Sequence, residues 1–199
     1  MKKAQAIAQP PPTDRRVQRT RQLLQDALRA LILEKGYDAI TVQDVIDRAN
    51  VGRATFYAHF QDKEELLLSG FEQLWVHFEQ FFIGDAAPDG DPWHMSLALF
   101  QHAESHRDLY KAMAGKRGAT IVQTHLQRKL SALTQPHLKA QISTRKQPFP
   151  HEVLTHYLVT SLITLLLWWV DNDTAYSAEQ MHAFFQRLVQ PGVESVVMQ

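Results

Sequence analysis

Residues 41–67, TVQDVIDRANVGRATFYAHFQDKEELL, constrain the fold of this chain more than any other stretch. Thr41 and Asp44 stand three residues apart, as in a helix capping box, and apolar residues follow at helical spacing. The Asn-Val-Gly triplet at 50–52 predicts a tight turn, and Arg53 to Phe60 then predicts a second short helix. Two short helices joined by a tight turn form a helix-turn-helix.

The second of these helices carries side chains that suit contact with nucleic acid. Arg53, at its amino end, can form two hydrogen bonds with a guanine edge, and Gly52 and Ala54 beside it permit close approach. Groups that can donate to phosphate oxygens follow at Thr55, Tyr57 and His59. Further candidate DNA-binding residues lie on neighbouring helices: Arg15, Arg16, Arg19, Thr41 and Lys63. Phe56 points about 100° away from Tyr57 around the helix and is predicted to be a core residue.

Charge is unevenly distributed although the net charge is zero. Residues 1–63 hold 11 Lys and Arg against 7 Asp and Glu, and the remainder holds 10 against 14. A basic amino-terminal third suits a polyanionic partner. The absence of cysteine excludes disulfides, thiol nucleophiles and Cys-bearing metal sites, and it fits a reducing cytoplasm. Residues 1–14 lack the sustained apolar run of a signal peptide.

Helical spacing continues to the end of the chain, and the predicted fold class is all-α. A first helix is capped by Thr13 or Asp14 and ended by Gly36, and a fourth runs from the Asp62 cap to about Ile83. Later helices are predicted at 93–105, 108–114, 119–140 with a kink or end at Pro136, 150–172 and 177–189. The apolar run at 153–170 is interrupted by polar residues, which indicates a buried helix rather than a membrane span.

The stretch from Arg19 to Leu68, and above all VGRATFYAHFQDKEEL, resembles the amino-terminal domain of the TetR family of bacterial transcriptional regulators. The resemblance implies a cytoplasmic homodimer, a repressor that binds double-stranded DNA at a palindromic operator and is released by a small-molecule effector. It also implies that Gly52, Arg53 and Ala54 face bases, that Thr55, Tyr57 and His59 contact phosphate, and that Lys63 holds the DNA backbone. Many members have Ser at the place of Gly52 and Gly at that of Ala54, so the operator sequence does not follow.

The expected domains are a tail at 1–12 (including the extended prolines 10–12), the DNA-binding head at 13–64, an effector and dimerisation body at 65–190 and a tail at 191–199. From Trp93 onward the chain is similar in style to TetR proteins that regulate dihydroxyacetone kinase. Candidates for an effector pocket combine apolar area with polar tips: Trp93, Phe100, His102, His106, Tyr110, Met113 and Trp168. The resemblance implies that the last two long helices form a four-helix bundle with those of a partner, which assigns these residues to the core and the dimer interface: Leu158, Leu162, Leu165, Leu166, Trp169, Met181, Phe184, Phe185 and Leu188.

Two other functions are open to such a chain. His102 and His106 stand four apart, as metal ligands on one helix face do, which suits a small helical enzyme. The sequence offers no third ligand, however, and we expect no metal, no cofactor and no catalysis. A helical body that binds another protein, with a vestigial head, is the second alternative, although the basic amino-terminal third argues against it. No membrane contact is expected.

Overall fold

The structure is a computed structural model that describes residues 12–72, 74–76, 94–114, 117–142, 149–172 and 174–197. Within these ranges the secondary structure is helical and contains no strand, as predicted. In chain order the helices are α1 (Pro12–Lys35), a 3-10 helix (Tyr37–Ala39), α2 (Val42–Ala49), α3 (Arg53–Tyr57), α4 (Lys63–Ser69), α5 (His94–Ser105), α6 (Arg107–Met113), α7 (Arg117–Ile142), α8 (His151–Asp171) and α9 (Ala178–Val197).

The long helix α1 is shared by the amino-terminal part of the fold and the body. Its 24 residues give it a length of about 36 Å at 1.5 Å per residue. It packs against α2 and α4 on one side and against α6 on the other. The amino-terminal core is built from side chains of all four helices, each at most 3% exposed: Leu24, Leu28, Val45, Phe56 and Leu66.

In the body, α7 packs along α8, and α9 packs on α5. By length and composition alone α8 could cross a membrane. Nine of its residues are buried in the core, however, including Trp169 at 0% exposure. This burial agrees with the prediction of a buried helix at this position.

Several helix boundaries follow from capping chemistry that is visible in the sequence. Thr41 and Asp44 form the predicted capping box before α2, and Ser177 and Gln180 exchange the equivalent hydrogen bonds before α9. Gly36 ends α1 with φ 75°, and Asn50 ends α2 in the left-handed region with φ 50°. The pair at Asp62 and Glu65 is only half a capping box, because the Glu65 carboxylate accepts from the amide of Gln61 instead.

Two expectations about proline were wrong, since Pro12 is helical rather than extended and α7 does not end at Pro136. α1 already includes Pro12. The first turn of a helix tolerates proline, because the amide of any other residue there would have no partner within the helix. α7 continues through Pro136, and α9 continues through Pro191 to Val197 rather than ending at Val189. The carbonyls four residues earlier, at Ala132 and Arg187, belong to exposed residues, where water can replace the lost hydrogen bond. Residues 191–197, predicted as part of a tail, are therefore helical.

Two other helices end earlier than predicted. α3 ends at Tyr57 instead of Phe60. α4 ends at Ser69, because the amides of Gly70 and Phe71 bond three residues back instead of four. The amide of Trp75 then bonds the Phe71 carbonyl at 3.0 Å, so helical bonding resumes after this break. The predicted continuation to Ile83 and the predicted cap at 91–92 lie outside the described residues.

Candidate nucleic-acid interface

Helix α3 follows its N-cap residue, Gly52, and presents its amino end to solvent. Gly52, Arg53 and Ala54 are exposed, as expected of residues that would approach another molecule. A Cβ on Gly52 would meet only the Thr55 Oγ1, at the ordinary contact distance of 3.6 Å. Packing within the chain therefore leaves room for a side chain at position 52. Because glycine has none, another molecule can approach the backbone closely at this position.

Phe56 anchors α3 from behind. Its ring is 0% exposed and meets the Tyr57 ring edge-on, with centroids 5.3 Å apart. Tyr57 is 46% exposed, and the Arg53 guanidinium lies 5.5 Å from its ring centroid. The structure thus confirms that Phe56 is core, and it places Arg53 and Tyr57 side by side on the outer face. Thr55 and His59 are half-buried beside them.

Helix α2 is fixed on α1 behind the α3 helix. The Arg48 guanidinium donates to both carboxylate oxygens of Glu34, at 2.7 and 2.5 Å, and this contact lowers the pKa of Glu34. Lys35 Nζ lies 3.0 Å from an oxygen of Asp44. The hydrogen bonds from Thr41, assisted by Lys35, hold the pKa of Asp44 at about 2. These ionic contacts fix the position of the turn that carries α3.

Thr41 and Lys63, both predicted to contact DNA, are engaged within the protein. The Thr41 hydroxyl accepts from the Asp44 amide and donates to the Asp44 carboxylate, so it serves as the α2 cap. Lys63 Nζ donates to the carbonyls of Tyr37 and Ile40, at 3.1 and 2.6 Å, and lies 4.4 Å from the Tyr37 ring centroid. Burial lowers the pKa of Lys63. Sequence alone gave no sign of these partners, because they lie 23 and 26 residues away.

Arg15, Arg16 and Arg19 are exposed on the first turns of α1. Two residues further along, the Arg21 guanidinium lies 4.7 Å from the ring centroid of Phe60, just beyond α3. The side chain of Arg21 also pairs with the carboxylate of Glu72. This turn of α1 therefore lies beside the segment that follows α3.

A cavity of about 740 Å³ separates α1 and α4 from α5 and α6. Four of the predicted effector residues line it, namely His102, His106, Tyr110 and Met113. Phe100 lies elsewhere, fully buried with its ring edge-on to Trp169, and Trp168 is 47% exposed on the outer face of α8. Trp93 lies outside the described residues. Head residues that were not predicted, among them Arg29, complete the lining, and the sequence gave no signal that α1 would face the body.

His102 and His106 stack in this cavity rather than converge on a common point. Their ring centroids are 4.4 Å apart with planes 27° from parallel, and His106 Nδ1 lies 2.9 Å from the His102 carbonyl. A metal ion lies in the plane of each imidazole that binds it, so nearly parallel rings are poorly placed to share one. Burial, and then the neighbouring His106, lower the pKa of His102 to about 4. His102 is therefore uncharged at neutral pH.

The residues assigned to a dimer interface divide by exposure. Buried within the single chain are Leu158, Leu162, Leu166, Trp169, Met181 and Phe185. Leu165 and Phe184 are half-buried, and Leu188 is 70% exposed. The apolar side chains that α8 leaves exposed are Val153, Tyr157 and Trp168, which share one helix face. Most of the residues that were assigned to the dimer interface on α8 therefore lie on its core face. The sequence could not separate the two faces of this helix, because both are apolar.

Two family models match this chain. The model for bacterial regulatory proteins of the tetR family matches residues 24–69, and a model for a transcriptional regulator C-terminal region matches residues 91–191. The first match contains α2, α3 and α4, and the second contains all of α5 to α8. The two matches therefore separate a helix-turn-helix part of the sequence from a helical body, while α1 packs against helices of both.

Curated relatives and solved structures agree with these models. The chain is 27% identical, over 93% of its length, to the HTH-type transcriptional regulator YxbF of Bacillus subtilis strain 168, and the match covers 48% of that protein. The biofilm operon negative regulator IcaR of Staphylococcus epidermidis is 34% identical over 27% of this chain and 29% of its own. The chain thus spans about half, or less, of the length of the curated relatives it matches.

A solved TetR transcriptional regulator from Streptococcus agalactiae superposes with a TM-score of 0.64 and 27% identity, covering 89% of this chain and 97% of that one. The dihydroxyacetone kinase operon activator DhaS superposes with a TM-score of 0.61 and 17% identity, covering 89% and 98%. At that identity the second likeness concerns the fold alone.

Proposed function

Because this chain belongs to the TetR family of bacterial regulatory proteins, we propose that it is a transcriptional regulator that binds double-stranded DNA through α2 and α3. The outer face of α3 carries this proposal, since Arg53 and Tyr57 stand exposed there while Phe56 holds the helix from behind. Such a helix can enter a major groove while the preceding helix lies across the backbone. The family assignment places the chain among transcription factors rather than enzymes, and its proposed place of action is the cytoplasm.

The proposed roles divide the head residues into those that meet DNA and those that position them. Arg53, with Gly52 and Ala54, reads base edges. Phosphate contacts come from Thr55, Tyr57 and His59 on α3 and from Arg15, Arg16 and Arg19 on α1. Thr41 and Lys63 act by holding α2 and the 3-10 helix, since their polar atoms already bond within the protein. The proposed head extends over residues 13–64 and the proposed body over 65–190, whereas the two family matches cover 24–69 and 91–191.

We also propose that two copies of the chain associate through the exposed apolar face of α8 and the adjoining part of α9. Val153, Tyr157, Trp168 and Leu188 are each 47% exposed or more, an unusual density of large apolar side chains for a solvated surface. A symmetric pair carries two heads and so recognises a palindrome, with half-sites about 34–36 Å apart. The proposed outcome of binding is repression, the role that the name of IcaR states for that relative.

Selection of bound sequences from a random DNA pool at near-physiological salt tests the DNA-binding role. The unmodified protein is expected to enrich a palindrome. Arg53→Ala is expected to cost about 1–3 kcal/mol on the best site and to relax preference at one position of each half-site. Arg128→Ala, which removes an exposed arginine of α7, is the matched control and should leave the selected sequence and its affinity unchanged.

An enrichment pattern that is the same for Arg53→Ala as for the unmodified protein would show that Arg53 does not read bases. No enrichment from a folded protein would contradict the regulator proposal itself and favour a protein-binding adaptor. Circular dichroism of each variant provides the folding control.

We further propose that a ligand in the cavity between α1 and α6 reorients the heads, so that they no longer match two successive major grooves. The cavity touches helices of both the head and the body, which gives a bound molecule direct contact with each. A compound that bound the cavity and left operator affinity unchanged would contradict this mechanism.

A further inference from the structure

The cavity between head and body has two chemically different walls. Apolar and aromatic side chains from the body side and from the segment after α4 form one wall, including Phe71, Leu109 and Met113. The lining on α1 adds the polar side chains of Gln22, Gln25 and Arg29 along one side of the helix, beside the apolar Leu28 and Ile32. A volume of about 740 Å³ lies within the ordinary range for small-molecule sites, about 300–1,000 Å³. Walls of this kind fit a molecule with an apolar body and one polar end.

The charge around the cavity is positive on balance. Two arginines and one carboxylate line it, and Arg21 is already paired with that carboxylate, Glu72. No ion pair involves Arg29 within the described part of the chain, and its guanidinium lies at the exposed edge of the cavity. One cation is therefore available for an anionic ligand group, and guanidinium matches carboxylate geometry with two parallel hydrogen bonds.

One polar group beside the cavity, the hydroxyl of Tyr110, lacks a hydrogen-bond partner among the described residues. Tyr110 lines the cavity, and its hydroxyl is buried with no hydrogen-bond partner within the described structure. Its ring lies among the rings of Phe71 and His102, with centroids 6.4 and 6.2 Å away. Because this hydroxyl is buried, a ligand in the cavity would meet the ring of Tyr110 rather than its oxygen.

We infer that this cavity binds an amphipathic monocarboxylate, with its carboxylate on Arg29 and its apolar body along Phe71 and Met113. The inference rests on the proposed function in one respect, namely that such a ligand would act as the effector of a DNA-binding regulator. The ligand would touch α1 of the head and α6 of the body at once. Its carboxylate would also lie within the same cavity as Arg21, whose guanidinium rests on Phe60 just beyond α3. Binding would thus place a negative charge about two helical turns along α1 from the Arg21–Phe60 contact.

Calorimetric titration of the purified full-length protein, without DNA, tests the ligand class. The probes are 4-phenylbutyrate, 4-phenyl-1-butanol and 4-phenylbutylamine, which share one body and differ in the charge of the end group. The carboxylate is expected to bind about ten-fold more tightly than the alcohol, as one charge-assisted pair would provide. The amine is expected to bind most weakly.

Arg29→Met should bring the affinity for the carboxylate down to that for the alcohol, and should leave the alcohol unaffected. Arg29→Lys retains the charge and should retain most of the preference. Arg187→Met is the matched control, since this exposed arginine of α9 does not line the cavity, and it should change neither affinity.

Equal affinity for acid and alcohol in the unmodified protein, preference for the amine, or an unchanged preference in Arg29→Met would each overturn the inference. Because no DNA is present, these outcomes are independent of the selection experiment. A protein that fails to select DNA could still prefer the carboxylate, and one that selects DNA could show no preference.

Discussion

The ammonium group of Lys63 joins two carbonyls and an aromatic ring into one small cluster. It bonds the carbonyls at both ends of the 3-10 helix and covers the ring of Tyr37. Tyr37 is 1% exposed, and burial raises the pKa of its hydroxyl to about 12. The 3-10 helix leads directly into the α2 cap, so this cluster fixes where the helix-turn-helix begins.

Lys63→Met is expected to destabilise the fold while leaving the selected DNA sequence unchanged. The substitution removes two hydrogen bonds from a charged donor, which corresponds to a loss of about 1.5–3 kcal/mol. In urea unfolding, the loss of stability would appear as a lower midpoint concentration of urea, with an unchanged dependence of the unfolding free energy on urea concentration. Lys129→Met, on α7, is the matched control with an expected change of under about 0.5 kcal/mol. A fully stable variant whose DNA affinity fell and lost salt dependence would instead assign Lys63 to phosphate contact.

At the scale of elements, the amino end of α7 docks on the 3-10 helix of the head. A Cβ built on Gly118 would lie 3.0 Å from the Tyr37 Cβ and 3.1 Å from its Cγ. The Arg117 amide donates to a carboxylate oxygen of Asp38 at 3.2 Å. The absence of a side chain at position 118 therefore allows head and body to meet closely.

Gly118→Ala is expected to destabilise the protein, although alanine is the better helix former. Gly192, on α9, provides the comparison, since nothing lies within 4 Å of a Cβ built there. Gly192→Ala should stabilise by roughly 0.5–1 kcal/mol through helix propensity alone. Gly118→Ala must also displace Tyr37, which Lys63 holds in place, and the expected net loss is about 1 kcal/mol. Equal thermal shifts for the two variants would show that the Tyr37 contact can yield without cost.

Local chemistry explains which elements the sequence could predict. The boxes at Thr41 and Ser177 mark their helices because both partners lie within three residues of each other. The sequence predicted a kink or end at Pro136 and an end at Val189, yet both helices continue, because whether water can reach a carbonyl freed by proline depends on the surrounding fold. The sequence did not predict which face of α8 is exposed, because the two faces of this helix have similar hydropathy and differ only in how they pack.

For the molecule as a whole, the proposed pairing surface is the exposed apolar face of α8 and α9. Trp168→Glu together with Leu188→Glu is expected to convert a dimer to monomers, because two buried carboxylates per copy would face each other across the symmetry axis. Sedimentation velocity measures the change. Ala183→Glu, at an exposed site of α9, is the control for added charge.

Monomers of this double variant should bind a single half-site weakly and lose selectivity for the palindrome. A variant that stayed dimeric would place the interface elsewhere on the molecule. A protein that sediments as a monomer before any substitution would contradict the pairing proposal at once.

The sequence could predict the outer face of α3 far better than it could predict the cavity. Arg53, Phe56 and Tyr57 lie within five consecutive residues, so helical spacing alone assigns their directions. The cavity instead joins Arg29 to His102 and Tyr110, more than 70 residues along the chain. Only the packing of α1 on α6 brings them together, and no local pattern encodes that contact.

The double role of α1 sets a limit on modular exchange between regulators. This helix supports the reading head and also forms one wall of the cavity. A hybrid that joined a foreign head to this body after residue 64 would replace Arg29 along with the DNA-reading residues. If the proposed ligand is the effector, the response of such a hybrid would depend on both parents, and recombination that preserved it would have to carry the α1 wall residues across with the body.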